Sequence, residues 1–485
     1  MHDSPVREYS ELFIGGDWVA PVDGAWLDTV NPATGLVWAR IATAGRRDVD
    51  AAVEKARAAL RGKWAELTPS ERGQILYRLA VLLEERRDEL ALLETTDNGK
   101  PITDTRNEIV RAAQWLRYYA GAADKIQGDQ VPVRRGALAY TQRAPVGVVA
   151  AITPWNSPLY LYSWKLGPAL AAGNCVILKP AEQTPVTAFE LARLAEEAGL
   201  PAGVLSVLPG LGAETGRYLV AHPGVNKIAF TGAGETAVEI IREAASTMKR
   251  VTCECGGKAP SIVFDDADLA KAATVSVHSA FRSTGQSCAA ASRLFVQKGI
   301  YTEFLEQVVT KARALRVGMP ERPSTELGPQ TSQEQLQKTL DYIALGQEEG
   351  SRLVSGGRQP DATELADGYF VEPTVFADVD NGSRLAQEEI FGPVLSVIPF
   401  STEEEVIAAA NDTKYGLVAG LWTADVSRAL RVSQQIEAGL VSVNTFRPVH
   451  WSLPYGGWKM SGIGRENGLA AIEEYTELRT VFIEI

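Results

Sequence analysis

The sequence predicts an α/β protein with two consecutive domains of alternating strands and helices. At 485 residues the chain is too long for one ordinary core, so two or three domains are expected. From residue 146 onward, short apolar runs alternate with amphipathic stretches, an order typical of parallel sheets with right-handed crossovers. These observations predict a doubly wound nucleotide-binding domain followed by a second α/β domain.

Long amphipathic helices are predicted before this alternation begins. Residues 48 to about 125 are rich in Ala, Leu, Glu and Arg, and the stretch SERGQILYRLAVLLEERRDELALLETTDNGK contains few helix breakers. Its second helix is expected to end at Asn98 and Gly99, ahead of Pro101.

Two series of apolar runs predict the strands of the two sheets. The first series, expected to be buried on both faces, comprises VGVVAAITP, CVILKP, VLSVLPG and NKIAFTG. The helix TPVTAFELARLAEEAGLP follows the second of these runs, with Thr184 as its expected N-cap and Gly199 at its end. The second series, which begins near residue 259, comprises APSIVF, SRLFVQ, VLSVIPF, LVAGLW and GLVSVN.

Two further runs look like strands that belong to neither sheet. They are GALAYTQRAP, near residues 136 to 145, and the terminal TELRTVFIEI. Two such strands could pair as an arm, and an arm usually needs a partner subunit to cover it.

The predicted partition is residues 1–126 and 147–253 for the nucleotide-binding domain and 254–450 for the second, catalytic domain. Residues 127–146 and 451–485 are assigned to the oligomerisation arm and a C-terminal return segment.

Composition and charge exclude several classes of protein. Lys and Arg number 48 against 60 Asp and Glu, a net charge of -12 without any dense basic run, which argues against a nucleic-acid or anionic-membrane surface. No apolar run approaches the roughly 20 residues that span a bilayer, and the first residues lack the apolar segment of a secretory signal. Four cysteines cannot form a disulfide framework, so a cytoplasmic enzyme is expected.

No metal site is predicted. None of the four histidines forms a ligand spacing with another histidine or cysteine, and strand alternation explains the spacing of Cys253 and Cys255 better than metal binding does. With so few histidines, acid and base chemistry is expected to fall to a carboxylate.

A dinucleotide site is expected at the carboxyl edge of the first sheet, although no G-x-G-x-x-G motif is present there. Gly232 and Gly234 lie at a strand-to-helix turn whose N–H groups could meet a phosphate, although a plain turn explains them equally well. Lys179 and Glu182 follow another strand of this sheet. A carboxylate there would bind ribose hydroxyls and repel a 2′-phosphate, which favours NAD over NADP.

Two residues are candidates for covalent and acid–base chemistry. Glu254 is flanked by apolar strand residues and followed by two glycines, so it is either a partly buried base or a partner of a nearby Lys or Arg. Cys288 follows a glycine-containing turn and has small neighbours, so it alone among the cysteines is expected to be exposed to a substrate. The alternative is a small buried hydrophobic residue.

A collinear set of motifs resembles the NAD(P)-dependent aldehyde dehydrogenase superfamily. The motifs are PWN at 154–156, KPAEQTP from 179, FTG at 230–232, ECGGKAP from 254, GQSC at 285–288, EEIFGPV from 388 and PYGGWKMSGIGRENG from 454. The resemblance extends over nearly the whole chain, from FIGGDWV at 13 to the terminal strand.

This resemblance implies a role for each matching residue. Cys288 would be the nucleophile that forms a thiohemiacetal and then a thioester, with Asn156 as the oxyanion donor and Glu254 as the base that activates the hydrolytic water. Lys165 and Glu466 would assist proton transfer. The implied cofactor contacts are Thr153, Trp155, Lys179, Glu182, Gly212, Phe230, Thr231, Gly232, Ala233, Glu389 and Phe391.

Two departures from the family pattern are visible. Cys255 stands where the family usually has leucine, which is nearly as apolar and should preserve the role of the segment. Ala233 stands where a serine commonly follows Phe-Thr-Gly, so one hydroxyl contact to the pyrophosphate is lost while the backbone donors remain.

The substrate is the least determined part of this interpretation. The implied pocket residues are Tyr160, Trp164, Arg282, Ser287, Arg447, Trp451 and Tyr455. The aromatic side chains favour an apolar or aromatic aldehyde, whereas the two arginines would favour a semialdehyde that carries a carboxylate if they face inward. A CoA-acylating dehydrogenase and a catalytically silent protein on this scaffold are the alternative functions. The resemblance suggests a homodimer or homotetramer.

Overall fold

The computed structural model describes residues 6–485, and its largest sheet has eight strands. Their spatial order is Gly462–Ile463, Arg250–Glu254, Lys227–Thr231, Val148–Ile152, Cys175–Lys179, Leu205–Val207, Leu12–Ile14 and Asp17–Val19. The middle five strands are parallel, and four of them are buried along their whole length because helices cover both faces. From Val148–Ile152 the chain builds outward to one side and then crosses to the other, which confirms the doubly wound prediction.

Helices from the first half of the chain surround this sheet. They are Arg46–Ala59, Lys63–Glu66, Pro69–Glu85, Arg87–Asn98, Ile102–Ala122, Pro158–Ala171, Val186–Glu197, Arg217–Ala221 and Gly234–Ala245. The predicted end at Asn98 is confirmed, since Gly99 follows in the left-handed conformation at φ 82°. The prediction that Thr184 caps the helix Val186–Glu197 is wrong, because its hydroxyl donates to the carbonyl of Trp155 at 3.4 Å instead.

A second sheet of seven strands forms the other α/β unit. Its spatial order is Arg352–Ser355, Thr374–Ala377, Val394–Phe400, Arg293–Gln297, Pro260–Val263, Val418–Trp422 and Leu440–Val443. All five strands predicted for this region are present, and the two at one edge were not predicted. Its helices are Leu269–Phe281, Tyr301–Arg313, Gln333–Glu348, Arg384–Gln387, Glu403–Asn411 and Val426–Ser433.

Smaller sheets complete the structure. Near the N-terminus, Arg7–Tyr9, Leu36–Ala42 and Trp26–Asn31 form a three-stranded sheet that the sequence analysis did not predict, and Tyr415–Gly416 pairs with Trp458–Lys459. A short helix, Ala470–Glu474, precedes the last strand. None of the helices among residues 6–485 has the length and apolar character needed to cross a membrane.

The predicted arm is present as an antiparallel pair. Thr476–Glu484 runs along Ala137–Pro145 in register from end to end, and Gln130–Val131 adds a third, short strand. Leu478 and Phe482 on this arm are 57% and 53% exposed. The arm therefore presents large apolar side chains to solvent in the single chain.

Residues near the C-terminus also complete the first sheet. Gly462–Ile463 pairs antiparallel with the end of Arg250–Glu254, so a segment assigned to the return region covers the edge strand that carries Glu254. This connection brings the residues around Glu466 to the carboxyl edge of the nucleotide-binding sheet.

Candidate active site

Cys288 follows a sharp turn of the backbone. The helix Leu269–Phe281 is followed by Ser283 and Thr284, which are both left-handed, with φ 52° and 57°. Gly285 continues at φ 71°, and a β-carbon there would lie 2.1 Å from the carbonyl oxygen of Gly392, so only glycine fits. Cys288 is half-buried whereas the other three cysteines are buried, so it is the thiol that a substrate can reach.

Burial favours the protonated form of the Cys288 thiol. Burial raises the pKa of Cys288 to about 11, and the guanidinium of Arg447 opposes that rise. The hydroxyl of Tyr455 lies 4.0 Å from Sγ. A proton must therefore leave Cys288 before the sulfur can act as a nucleophile at neutral pH.

Asn156 lies against the loop that carries Cys288. It follows the strand Val148–Ile152 and precedes the helix Pro158–Ala171, and its Nδ2 donates to the carbonyl of Gln286 at 3.0 Å. One N–H of the Asn156 amide is used in this hydrogen bond. The second is available to the carbonyl oxygen of an aldehyde that adds to the sulfur of Cys288.

Lys100 holds the backbone of this donor, and the sequence analysis did not single it out. Its Nζ donates to the carbonyl of Asn156 at 2.9 Å and to Oγ of Ser157 at 3.0 Å, and it forms a buried ion pair with Glu108. No local sequence signal marks this role, because the contacts join segments more than fifty residues apart.

Glu254 ends the edge strand at the carboxyl side of the sheet and is 5% exposed. Burial raises its pKa well above the usual range, and the negative charge of Glu466 adds to that rise. Its Oε2 has no hydrogen-bond partner among residues 6–485, and no Lys or Arg in that range pairs with it. The arrangement is that of a buried carboxyl group that binds a proton more readily than usual, and not of a structural ion pair.

Lys165 and Glu466 form a second buried ion pair beside Glu254. Their side chains are 0% and 2% exposed, and the pair joins the helix Pro158–Ala171 to the C-terminal segment. The positive charge of Lys165 lowers the pKa of Glu254 and so opposes the effect of Glu466. The two residues therefore act on Glu254 with opposite signs.

A cavity of about 670 Å³ opens at the carboxyl edge of the first sheet. It lies beside the parallel strands Val148–Ile152 and Lys227–Thr231, where the order of strand addition switches from one side of the sheet to the other and where such sheets bind ligands. Most of the predicted cofactor residues line it: Thr153, Trp155, Lys179, Glu182, Gly212, Phe230, Thr231, Gly232 and Ala233.

The last two predicted cofactor residues lie beside this cavity and do not line it. The ring of Phe391 packs edge-on against Trp155 with 5.2 Å between centroids, and Glu389 accepts a hydrogen bond from the backbone N–H of Gly257 at 2.9 Å. Three charged residues that were not predicted also line the cavity: Arg217, Glu239 and Glu243.

The cavity has groups that suit a dinucleotide. The first turn of the helix Gly234–Ala245 begins directly after Ala233, and its free N–H groups form a site for phosphate. The carboxylate of Glu182 pairs with Lys179 at 3.1 Å on the opposite wall. The predicted phosphate-binding turn and the predicted ribose-binding carboxylate of Glu182 therefore line the same cavity.

Aromatic rings form the wall next to Cys288. Trp164 packs against Tyr455 at 5.2 Å and against Tyr160 at 5.3 Å, and Trp115, which the sequence analysis did not single out, contacts Trp164 and Trp451 at 5.8 Å each. The predicted aromatic pocket residues are thus one continuous cluster that reaches the thiol through Tyr455.

The two predicted arginines have different partners. Arg282 forms an ion pair with Asp104 at 3.2 Å. Arg447 donates to Oγ of Ser287, next to Cys288, and pairs with no carboxylate of residues 6–485. Only Arg447 therefore has a free positive charge beside the thiol.

Comparisons with known proteins point to one family. Residues 18–481 match the model of the Aldehyde dehydrogenase family. A Bacillus subtilis (strain 168) protein, provisionally assigned as an aldehyde dehydrogenase, is 45% identical over 477 residues, which are 98% of this chain and 96% of that protein.

Two solved structures are similarly close. The NAD+ complex of aldehyde dehydrogenase from Bacillus cereus has a TM-score of 0.96 at 42% identity, covering 98% of this chain and 97% of that one. A P. syringae indole-3-acetaldehyde dehydrogenase mutant in complex with NAD+ and IAA has a TM-score of 0.97 at 43% identity, covering 100% and 98%.

Proposed function

Because the chain belongs to the aldehyde dehydrogenase family, we propose that it oxidises an aldehyde to the carboxylic acid with NAD as the electron acceptor. The observation that carries the proposal is the half-buried thiol of Cys288, with the amide of Asn156 against its loop. Oε1 of Glu254 lies 2.9 Å from the position that a β-carbon on Gly456 would take, and the hydroxyl of the adjacent Tyr455 lies 4.0 Å from Sγ of Cys288, which supports a role for this carboxyl group at the same reaction centre.

The chemistry begins at Cys288. The thiol loses its proton and the sulfur adds to the aldehyde carbon, which gives a thiohemiacetal whose oxyanion accepts hydrogen bonds from Asn156 Nδ2 and the Cys288 backbone N–H. Bound NAD would supply the acceptor for the hydride that leaves this carbon, and Cys288 would then carry a thioester.

Glu254 completes the cycle. Its raised pKa suits a base that takes a proton from water as that water attacks the thioester carbonyl. The carbon–sulfur bond then breaks, the acid leaves, and the proton passes from Glu254 toward solvent past the buried pair of Lys165 and Glu466.

We propose NAD over NADP because Glu182 lies on the cavity wall with Lys179 as its partner, where a 2′-phosphate would meet a negative charge. Backbone N–H groups that follow Ala233 hold the pyrophosphate without the missing serine hydroxyl. Glu389 and Phe391 bind the nicotinamide ribose. Relatives crystallised with NAD+ support the assignment.

Three further predictions belong to the same proposal. Residues 1–126 with 147–253 form the NAD-binding domain, and 254–450 form the catalytic domain. The exposed apolar side chains of the arm are covered by a second copy of the chain, which gives a homodimer or homotetramer. The cytoplasmic location stays a prediction.

An aldehyde panel with NAD and with NADP tests the proposal. Absorbance of the reduced cofactor should rise with NAD and an aromatic aldehyde, and free acid should form without CoA. The Cys288→Ser variant should lose this activity while it still binds NAD. Normal turnover in that variant would contradict the mechanism, and dependence on CoA would indicate the acylating alternative.

A further inference from the structure

One face of the helix Ile102–Ala122 is directed toward the candidate active site. Asp104, Glu108, Arg111 and Trp115 are spaced by three or four residues, so they share that face. Three of them have an established partner in the site: Asp104 pairs with Arg282, Glu108 with Lys100, and Trp115 packs against the pocket rings.

Arg111 lies between these residues and has no such partner. It is half-buried, and no carboxylate of residues 6–485 forms an ion pair with it. Arg447 has the same property on the other side of the pocket, where it donates to Ser287 beside the nucleophile.

Tyr160 lies beside the helix face that carries Arg111. Its ring packs edge-on against Trp115, one helical turn after Arg111, with 5.0 Å between centroids. Burial raises the pKa of its hydroxyl, and the charges of Arg111 and Arg447 oppose that rise. Glu108 is the acidic group that acts on Tyr160, and Lys100 already neutralises it.

The neutral donors of the pocket are also unused. The hydroxyl of Tyr160 and Nε1 of Trp164 are buried and have no hydrogen-bond partner among residues 6–485. Leaving such groups buried without an acceptor is unfavourable, so they favour a ligand that supplies an acceptor. The pocket thus has two cations without a carboxylate partner among residues 6–485 and two buried neutral donors.

Resting on the proposed aldehyde oxidation, we infer that the substrate carries a carboxylate in addition to its aldehyde group. Arg111 and Arg447 bind this carboxylate, and the apolar or aromatic body of the substrate lies against Tyr160 and Trp164. Arg282 does not take part, because Asp104 already neutralises it. The expected substrates are semialdehydes and formyl-substituted aromatic acids. Neutral aldehydes of the same shape match them sterically but lack the carboxylate.

Matched pairs of aldehydes test this inference. Para-formylbenzoate is compared with para-formylbenzamide, and glutarate semialdehyde with its amide, by kcat/KM for NADH formation. We expect the unmodified enzyme to prefer each carboxylate by about 10- to 100-fold, the range for a charge-assisted pair of hydrogen bonds. Arg111→Gln and Arg447→Gln should each reduce this preference about tenfold, mainly through KM, and the double variant should abolish it.

A charge-neutral control isolates the effect. The double variant Arg282→Gln with Asp104→Asn removes the neighbouring ion pair without changing net charge and should retain the preference, and Arg447→Lys should retain part of it. Equal use of carboxylate and amide by the unmodified enzyme would overturn the inference, whether or not a variant folds. A preference that survives loss of both Arg111 and Arg447 would overturn it as well. Failure of every aldehyde, charged or neutral, to reduce NAD would instead refute the proposed function.

Discussion

The oxyanion donor gives the sharpest quantitative prediction. The amide of Asn156 has two N–H groups, and one of them already donates to the carbonyl of Gln286 at 3.0 Å. Only one is left for the transition state, so Asn156→Ala removes a single donor. The loss of one such donor costs about 3–4 kcal/mol, or a 100- to 1000-fold fall in kcat.

The assay is steady-state NADH formation with a saturating aromatic aldehyde. The fall should appear in kcat and kcat/KM alike, because the donor meets a full negative charge only in the transition state. In the Asn156→Ala variant, iodoacetamide should alkylate Cys288 at the same rate as in the unmodified enzyme, which would show that the thiol is still accessible.

A second buried asparagine provides the control. Asn174 also donates through Nδ2, to the carbonyls of Ala169 at 2.9 Å and Tyr475 at 3.0 Å, and it contacts no residue of the candidate active site. Asn174→Ala should lower the free energy of unfolding by about 1–3 kcal/mol and leave kcat within about threefold. If Asn156→Ala keeps kcat within the same threefold while Cys288 alkylates normally, the assigned oxyanion role is wrong.

Further predictions concern the buried charges. Glu254→Gln should release one equivalent of NADH in a burst and then stall as thioester, detected by mass spectrometry of the intact chain; steady turnover would contradict its role as base. Lys165→Met removes a charge that lowers the pKa of Glu254, so the acidic limb of the pH–kcat profile should move to higher pH, whereas Glu466→Gln should move it to lower pH; shifts in the same direction would refute this electrostatic arrangement. Lys100→Met leaves Glu108 buried without a cation and should cost about 3–5 kcal/mol in urea unfolding; adding Glu108→Gln should recover part of that loss.

Motif order could indicate candidate reacting residues because their types are restricted by chemistry. A nucleophilic thiol, an amide donor and a buried carboxylate each need a particular side chain, so Cys288, Asn156 and Glu254 stand out in the printed sequence. The fold places Asn156 against the loop of Cys288, and the roles of the three residues stay predictions. The central strands were equally visible, since each is a continuous apolar run.

Features set by distant contacts were not predictable. Lys100 and Arg111 carry no local signal, because their surroundings arise only when one helix face turns toward the site. Arg282 and Arg447 looked equivalent in sequence, and only the contact with Asp104 separates them. Edge strands such as Arg352–Ser355 contain four residues, too few to show a period.

The pairing of Gly462–Ile463 with Cys253 and Glu254 has a consequence for synthesis of the protein. A ribosome makes the edge strand of the nucleotide-binding sheet more than two hundred residues before the segment that covers it. During that interval the strand exposes unpaired backbone groups, and the ion-pair partner that Lys165 requires does not yet exist. The nascent chain therefore cannot complete this sheet edge and the buried pair of Lys165 and Glu466 before residues 462–466 emerge, so we expect a product terminated earlier to be prone to aggregate.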